Sequence, residues 1–555
     1  MPEDRMTRGF LALRPYLPHA MILLSLLIAL GAGVAVLARG TSSQQPAQTT
    51  GAVLHLANEG ISDLQTLDPA RGFDFNSRQA AQLIFGGLVR FGPHFEPIPD
   101  VASSWRISKD GRTYTFHLRP NVRFADGTQV TARDVAFSFN RTLSPPFAQQ
   151  SGAALLSDIG GALLVKHGRT DHAPGIQIVN PQTLRIKLEA PTATFLAKLA
   201  TPAGYIVPPA AVSNNPAPWD QRAFGTGPFM VERWVHGSSL LLIPNPYYWR
   251  GKLQLKGIVM SFIPEPLDAF KRYRDGAVDV MGTVHFPGEE LFSVRGQPDF
   301  HQSANLETVY LIPNLRTPPF NDTRVRQAFF HALDRNVIVR NAFGNFAHPA
   351  SRMLPPGIRG YQPPLHIEGY NPGLARRLLA QAGYPGGRGF PTVTFQVDQD
   401  AQSLILATTV ANQWRNTLGV RVRVARHDHS KYLALLTQLK FQIATIDWTD
   451  DYPDPENFLS QLLHSGSPNN NGDWSNATFD RLVDQADTLP PNDPKRLKLY
   501  RQAEQLAMNQ AAVIPLANPT TGILVRQSIH GLVVRGGQLL APDWTRVTIA
   551  GSSVQ

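Results

Sequence analysis

Ten consecutive residues hold the densest chemistry in this chain. Asp447-Trp448-Thr449-Asp450-Asp451-Tyr452-Pro453-Asp454-Pro455-Glu456 brings five carboxylates together with two aromatic rings. Such a cluster suits one of two tasks: replacing the water around a buried cationic group, or flanking a glycosidic bond as acid and base beside a stacking ring. A solvated acidic loop is the plainer account of the charge alone. Phe441 to Ile446 reads as a short buried strand, so the acids sit where a strand leaves the core, and a cleft between lobes is the usual place for such a strand end. Asp450, Asp451 and Asp454 compete for the central role. Periodicity does not choose among them, since the strand pattern stops before Pro453.

A second constellation, His427-Asp428-His429, sets two imidazoles on one face of an extended segment, a spacing that a metal can use. Arg426 next door opposes a cation, and a helix expected from Lys431 makes a solvent-exposed turn the alternative. The absence of cysteine excludes disulfides, thiolate metal sites, a cysteine nucleophile and a lipidated cysteine. No P-loop, HExxH, GxSxG or Rossmann glycine pattern occurs, so no catalytic residue, cofactor or metal ligand is assigned. The net charge of +10 is spread without a block of five like charges, which fits a basic surface beside an anionic cell envelope and not a nucleic-acid interface.

The elements that must position these residues are legible in places. With 555 residues, at least two domains are expected. From Asp100 to Leu143, Lys109-Asp110-Gly111 forms a turn, and Tyr114, Phe116 and Leu118 alternate with polar residues as in a half-buried strand. A second strand is expected over Val122 to Phe124, ending at Ala125-Asp126-Gly127. Thr131 and Asp134 make a capping box for a helix burying Val135, Phe139 and Leu143. Later, Val325, Phe329 and Leu333 share a helical face, with Arg324, Arg326 and Asp334 expected towards solvent or a hinge. At the N-terminus, Arg5, Arg8 and Arg14 precede an apolar run, Ala20 to Ala38, long enough to cross a bilayer. Basic residues before the span send the rest of the chain outward. The run is longer than a usual signal-peptide core, so a retained anchor is expected as readily as cleavage after Ala38, with Gly40 to Gly51 as a flexible leash.

The stretch from Trp105 through DGRTYTFHLR to VRFADGTQVTARDVAFSFNR resembles the signature of the dipeptide and oligopeptide solute-binding proteins of bacterial ABC importers, family 5. Thr66 to Pro69, Leu83 to Val89, Phe224 to Trp234, Asn245 to Trp249, Pro318 to Ala328 and Tyr370 to Tyr384 extend the likeness over most of the chain. The resemblance implies an α/β, two-lobed periplasmic-binding-protein-like fold of the large, peptide-binding type, with an extra α/β subdomain and, here, an N-terminal transmembrane helix. Its implied division is residues 1–52 for tail, anchor (20–38) and linker, 53–306 for lobe I including the subdomain 94–223, 307–525 for lobe II, and 526–555 for a return to lobe I.

The implied function is capture of peptides in an interlobe cleft, outside the cytoplasm, for a permease driven by separate ATPase subunits. A monomer is expected, without nucleic-acid partners. An oligosaccharide, opine-like solute or nickel chelate is the alternative ligand, and an envelope enzyme acting on glycans the alternative class. In the family, Trp-x-x-Asp followed by DP and NFL holds the peptide's amino terminus, which by counting from Trp448 implies Asp451. Backbone of Asp447, Trp448 and Thr449, and of a loop, Gly72 to Asn76, that includes Phe75 and Asn76, is then expected against the peptide main chain.

Overall fold

The strand Ile514–Val525 ties the molecule together. Its first residues pair antiparallel with Glu307–Pro313, Ile514 opposite Leu311, and its last with Val280–Gly282, Val525 opposite Val280. On one side of it the sheet continues through Glu307–Pro313, Ile443–Thr449, Val393–Asp398 and Val422–His427. On the other it runs through Val280–Gly282, Val53–Glu59, Gly257–Ile263, Ser239–Pro244 and Phe229–Val235. The two sides bury separate cores. Ile514 and Leu516 pack with Phe395, Trp414 and Ile443, whereas Ile523 and Val525 pack with Leu54, Leu240 and Ile258. A computed structural model describes residues 52–550 except 72–73, 215–218, 283–292, 362–364 and 492. The expected anchor, 20–38, lies outside the described residues, among which no helix is long and apolar enough to cross a membrane.

A third core lies under a separate four-stranded sheet, ordered Ala102–Ile107, Thr113–Leu118, Thr183–Lys187, Ile176–Asn180. Tyr114, Phe116 and Leu118 point into it as their alternation requires, and Gly111, at φ +70°, closes the turn before them. Helix Ala132–Leu143 begins at the capping box, Asp134 accepting the Thr131 N–H at 2.7 Å, and buries Val135, Phe139 and Leu143. The strand expected over Val122 to Phe124 is absent. These residues form instead a tight loop with one bridge, Arg123 to Gln129, held by the Phe124 N–H on Thr128 O and the Val130 N–H on Val122 O.

Helix Thr323–His331 buries Val325 and Phe329 as expected, but Arg326 is not a solvent residue. It is 3% exposed, and its guanidinium caps the carbonyls of Phe320, Gln510 and Ala511. Asp334 caps the next helix, Arg335–Phe343, through the Asn336 N–H. The last described hairpin, Val533–Arg535 with Gln538–Leu540, turns on Gly536 and Gly537, both at positive φ, the two-residue turn that matches strand twist.

Candidate functional site

The strand Ile443–Thr449 carries the acidic cluster out of the core. Thr449 stands opposite Glu307, and the Asp450 N–H donates to Leu306 O at 3.0 Å, so the backbone is still fixed where the ladder ends. Beyond it, Asn457, almost fully buried, acts as a bracket: its Oδ1 accepts from Trp448 Nε1 at 3.0 Å and from the Asp451 N–H at 3.1 Å. Trp448 is thereby packed, partly buried, against the apolar cluster that holds Ala444 and Phe458.

The five acids divide. Asp454 takes both Nη groups of the buried Arg496, at 2.6 and 2.9 Å, and caps the short helix Pro455–Phe458. Glu456 is buried against the Tyr452 hydroxyl and Gln461 Nε2. Asp447 points to the other side, where burial, with Asp400 adding to it, pushes its carboxyl up, and where Glu307 is pushed up to about 7 by burial and by Asp447. That leaves Asp450 and Asp451 as the acids on a cavity of about 430 Å³.

This cavity is walled by Leu83, Phe85 and Met260 from the side of Val53–Glu59, by Leu539 and Trp544 from the C-terminal segment, and by Leu306, Asp450, Asp451 and Pro453 from the other side. Asp451 is crowded by protein, yet its side chain stays open to the cavity solvent. Burial pushes both carboxyls up. For Asp450 it reaches about 7, with the Arg78 guanidinium opposing the rise and Asp451 adding to it. Asp451 rises against the Asn457 hydrogen bond and the charges of Arg78 and Lys198. Asp450, pushed up to about 7, is held short of full ionisation by crowding and gains charge when a cation enters.

Of the acids that compete in the sequence for the central role, Asp450 and Asp451 line the cavity and Asp454 does not. Asp447, Trp448 and Thr449 sit on the strand leading to it, where the neighbouring strand Val393–Asp398 pairs only at Ile443 and Ala444. Phe75 and Asn76 are not loop residues but the first turn of helix Phe75–Ile84, capped by Asp74. It is Arg78, Gln79 and Gln82 of that helix that reach the cavity. Gly72 and Phe73 lie outside the described residues. His427 and His429 pair with Gln396 and Asp398, both at 2.6 Å, while Asp428 caps a helix starting at His429 rather than Lys431. Among the described residues no group of three potential metal ligands assembles. Sequence reading missed Arg78, Arg90, Asp100 and Arg250 on the cavity wall, the last about 150 residues from the others.

Two half-sheets sharing one strand, with a cavity where a strand end of one half faces the other, define a two-lobed solute-binding protein. Residues 96–470 match the family model of bacterial extracellular solute-binding proteins, family 5, and the chain belongs to that family, whose members are transport binding proteins and not enzymes. It is 30% identical over 494 residues to the periplasmic oligopeptide-binding protein OppA of Salmonella typhimurium, covering 86% of this chain and 89% of that protein. Among solved structures, the unliganded open form of the murein tripeptide binding protein MppA superposes with a TM-score of 0.77 at 27% identity, over 89% of this chain and 98% of that one. The Helicobacter pylori DppA in complex with peptide STSA gives 0.69 at 26% identity, over 90% and 98%.

Proposed function

We propose that this chain captures peptides outside the cytoplasm and delivers them to the permease of an ABC importer, with the ATPase on separate chains. The observation that carries the reading is Asp451: a carboxylate bracketed by Asn457, open to a cavity between the two half-sheets, with no ion pair among the described residues. A peptide's α-ammonium needs such an acceptor when it leaves water. The relatives named above bind oligopeptides, a murein tripeptide or the peptide STSA, and the Trp-x-x-Asp spacing implied by the family resemblance of the sequence falls on Asp451. The free outer edge at Asp447, Trp448 and Thr449 supplies backbone groups for an added peptide strand, giving affinity without side-chain preference. The helix start at Phe75 and Asn76 is a further main-chain contact.

In this reading the lobes are 53–306 with subdomain 94–223, 307–525, and the return from 526, and they close on the solute. The higher TM-score against an unliganded open form than against a peptide complex supports an open starting state. The chain works as a monomer, held at the membrane by the uncleaved run 20–38. A thermal-shift screen of peptide pools tests the function, since a ligand at 100 times its dissociation constant stabilises by about 2.7 kcal/mol. Shifts with peptides and none with cello-oligosaccharides or nickel are expected, and no shift with any peptide pool defeats the reading.

A further inference from the structure

The cavity also holds a group of guanidiniums that the ammonium anchor leaves unused. Arg90, in the strand Val89–Phe91, and Arg250, just beyond Asn245–Trp249, line it together with Asp100 and Thr226. Arg90 spends one bond on Phe91 O, at 3.2 Å, and its buried Nε has no acceptor among the described residues. Arg250 leans on the Trp249 ring at 4.8 Å, and its ion pair with Asp100, at 3.7 Å, is too long for a hydrogen bond. Thr226, 2% exposed, has an Oγ1 without a partner among the described residues at the same corner. Gly86 keeps that corner open: a Cβ there would stand 2.7 Å from Thr226 Oγ1 and 2.9 Å from Asp100 Oδ2.

Charge balance sets the kind of guest. Arg90, Arg119 and Arg250 act on Asp100, and Asp543, which faces Arg90 and Arg250, is shared with Arg546, which leaves this corner with positive charge in excess. An excess of positive charge favours an anion, and paired guanidinium forks match the two oxygens of a carboxylate. Leu83, Phe85, Met260, Leu539 and Trp544 give the rest of the wall an apolar character.

We propose that the corner between Arg90 and Arg250 is a carboxylate-binding subsite, so that the preferred solute carries its ammonium to Asp451 and a carboxylate on an apolar stem to these two arginines. The proposal rests on the peptide reading and adds the group that selects among peptides. Two sources share this chemistry, the α-carboxylate of a short peptide and an acidic side chain.

Wild type, Arg90→Gln, Arg250→Gln and Arg250→Lys are equilibrated with random tripeptide-to-pentapeptide mixtures, as free acids and as C-terminal amides. Retained peptides are identified by mass spectrometry, the strongest measured by calorimetry, and thermal melts report folding. Wild type is expected to lose about 10- to 100-fold in affinity on amidation if the α-carboxylate is the guest, or on Glu-to-Gln exchange in the peptide if a side chain is. The Gln variants should lose that preference and bind the neutral analogue as wild type does, with Arg250→Lys, which keeps the charge without the fork, in between. Peptide binding without any carboxylate preference, or a preference kept in full by both Gln variants, overturns the subsite and leaves peptide capture standing. Equal loss for charged and neutral peptides means a collapsed cavity and overturns it too. If wild type retains no peptide, peptide capture itself falls and the subsite with it.

Discussion

Replacing Asp451 with Asn keeps the shape of the anchor and removes its charge. Two unit charges 4 Å apart attract by about 4 kcal/mol at an effective dielectric near 20. The ammonium gives up water to reach the cavity, and Arg78 and Lys198, which already act on the Asp451 carboxylate, oppose part of the gain. In the variant Asp450 compensates, because a carboxyl pushed up to about 7 takes on charge as a cation approaches. The net loss expected for Asp451→Asn is about 2 to 3 kcal/mol, or about 30- to 150-fold in affinity, mostly through faster release. Calorimetry at pH 7.5 on wild type and variant, each with one peptide and its N-acetyl form, closes a double-mutant cycle. Acetylation should cost wild type a similar factor and cost the variant little. If acetylation costs both proteins the same, or costs wild type nothing, Asp451 is not the ammonium anchor.

Other outcomes follow from the same geometry. Asp450, whose folded pKa of about 7 lies above the ordinary 3.8, holds an extra proton in the folded state between those values, so its contribution to stability falls as pH rises through that window; Asp450→Asn should melt higher than wild type at pH 8 and alike near pH 4, and a variant that melts lower at pH 8 contradicts the shift. Asp454→Ala strands the buried Arg496 and removes a helix cap, which should cost about 3 to 5 kcal/mol in urea denaturation, whereas a loss under 1 kcal/mol would mean that the pair is dispensable. Saturating peptide should shrink the radius of gyration measured by X-ray scattering, and an unchanged profile argues against lobe closure. Cell fractionation should find a substantial share of the chain in the membrane through residues 20–38; detection only of a soluble species beginning near Arg39 rules out the anchor.

Legibility in the sequence followed the range of the interactions. Thr131 and Asp134 meet within one helical turn, and Tyr114, Phe116 and Leu118 alternate over one strand, so local chemistry decides them and was readable. Val122 to Phe124 has the residue types of a strand, but two turns so close together leave room for a single bridge. Arg326 misled by its charge, since the carbonyls that satisfy it come from Phe320 and from Gln510 and Ala511, far along the chain. The site shows the same division. Trp448, Asp451 and Asn457 lie within ten residues and share one bracket of hydrogen bonds, so a short motif can encode them. Arg78, Arg90 and Arg250 meet only once the half-sheet is assembled, and no spacing in the sequence announces that.

The strand Ile514–Val525 also places a clock on the birth of the protein. Val280 and Leu311 both wait for it, and at about 5 to 20 residues per second the ribosome needs on the order of tens of seconds to go from Leu311 to Ile514. Until then each half-sheet has a bare edge at its centre, the kind of edge that recruits another chain. A nascent chain stopped between Thr449 and Ile514 therefore carries two such edges at once, while the finished chain seals both with a single insertion. Synthesis and final locking of the two half-sheets are therefore coupled, the last joint closing only when translation is nearly finished.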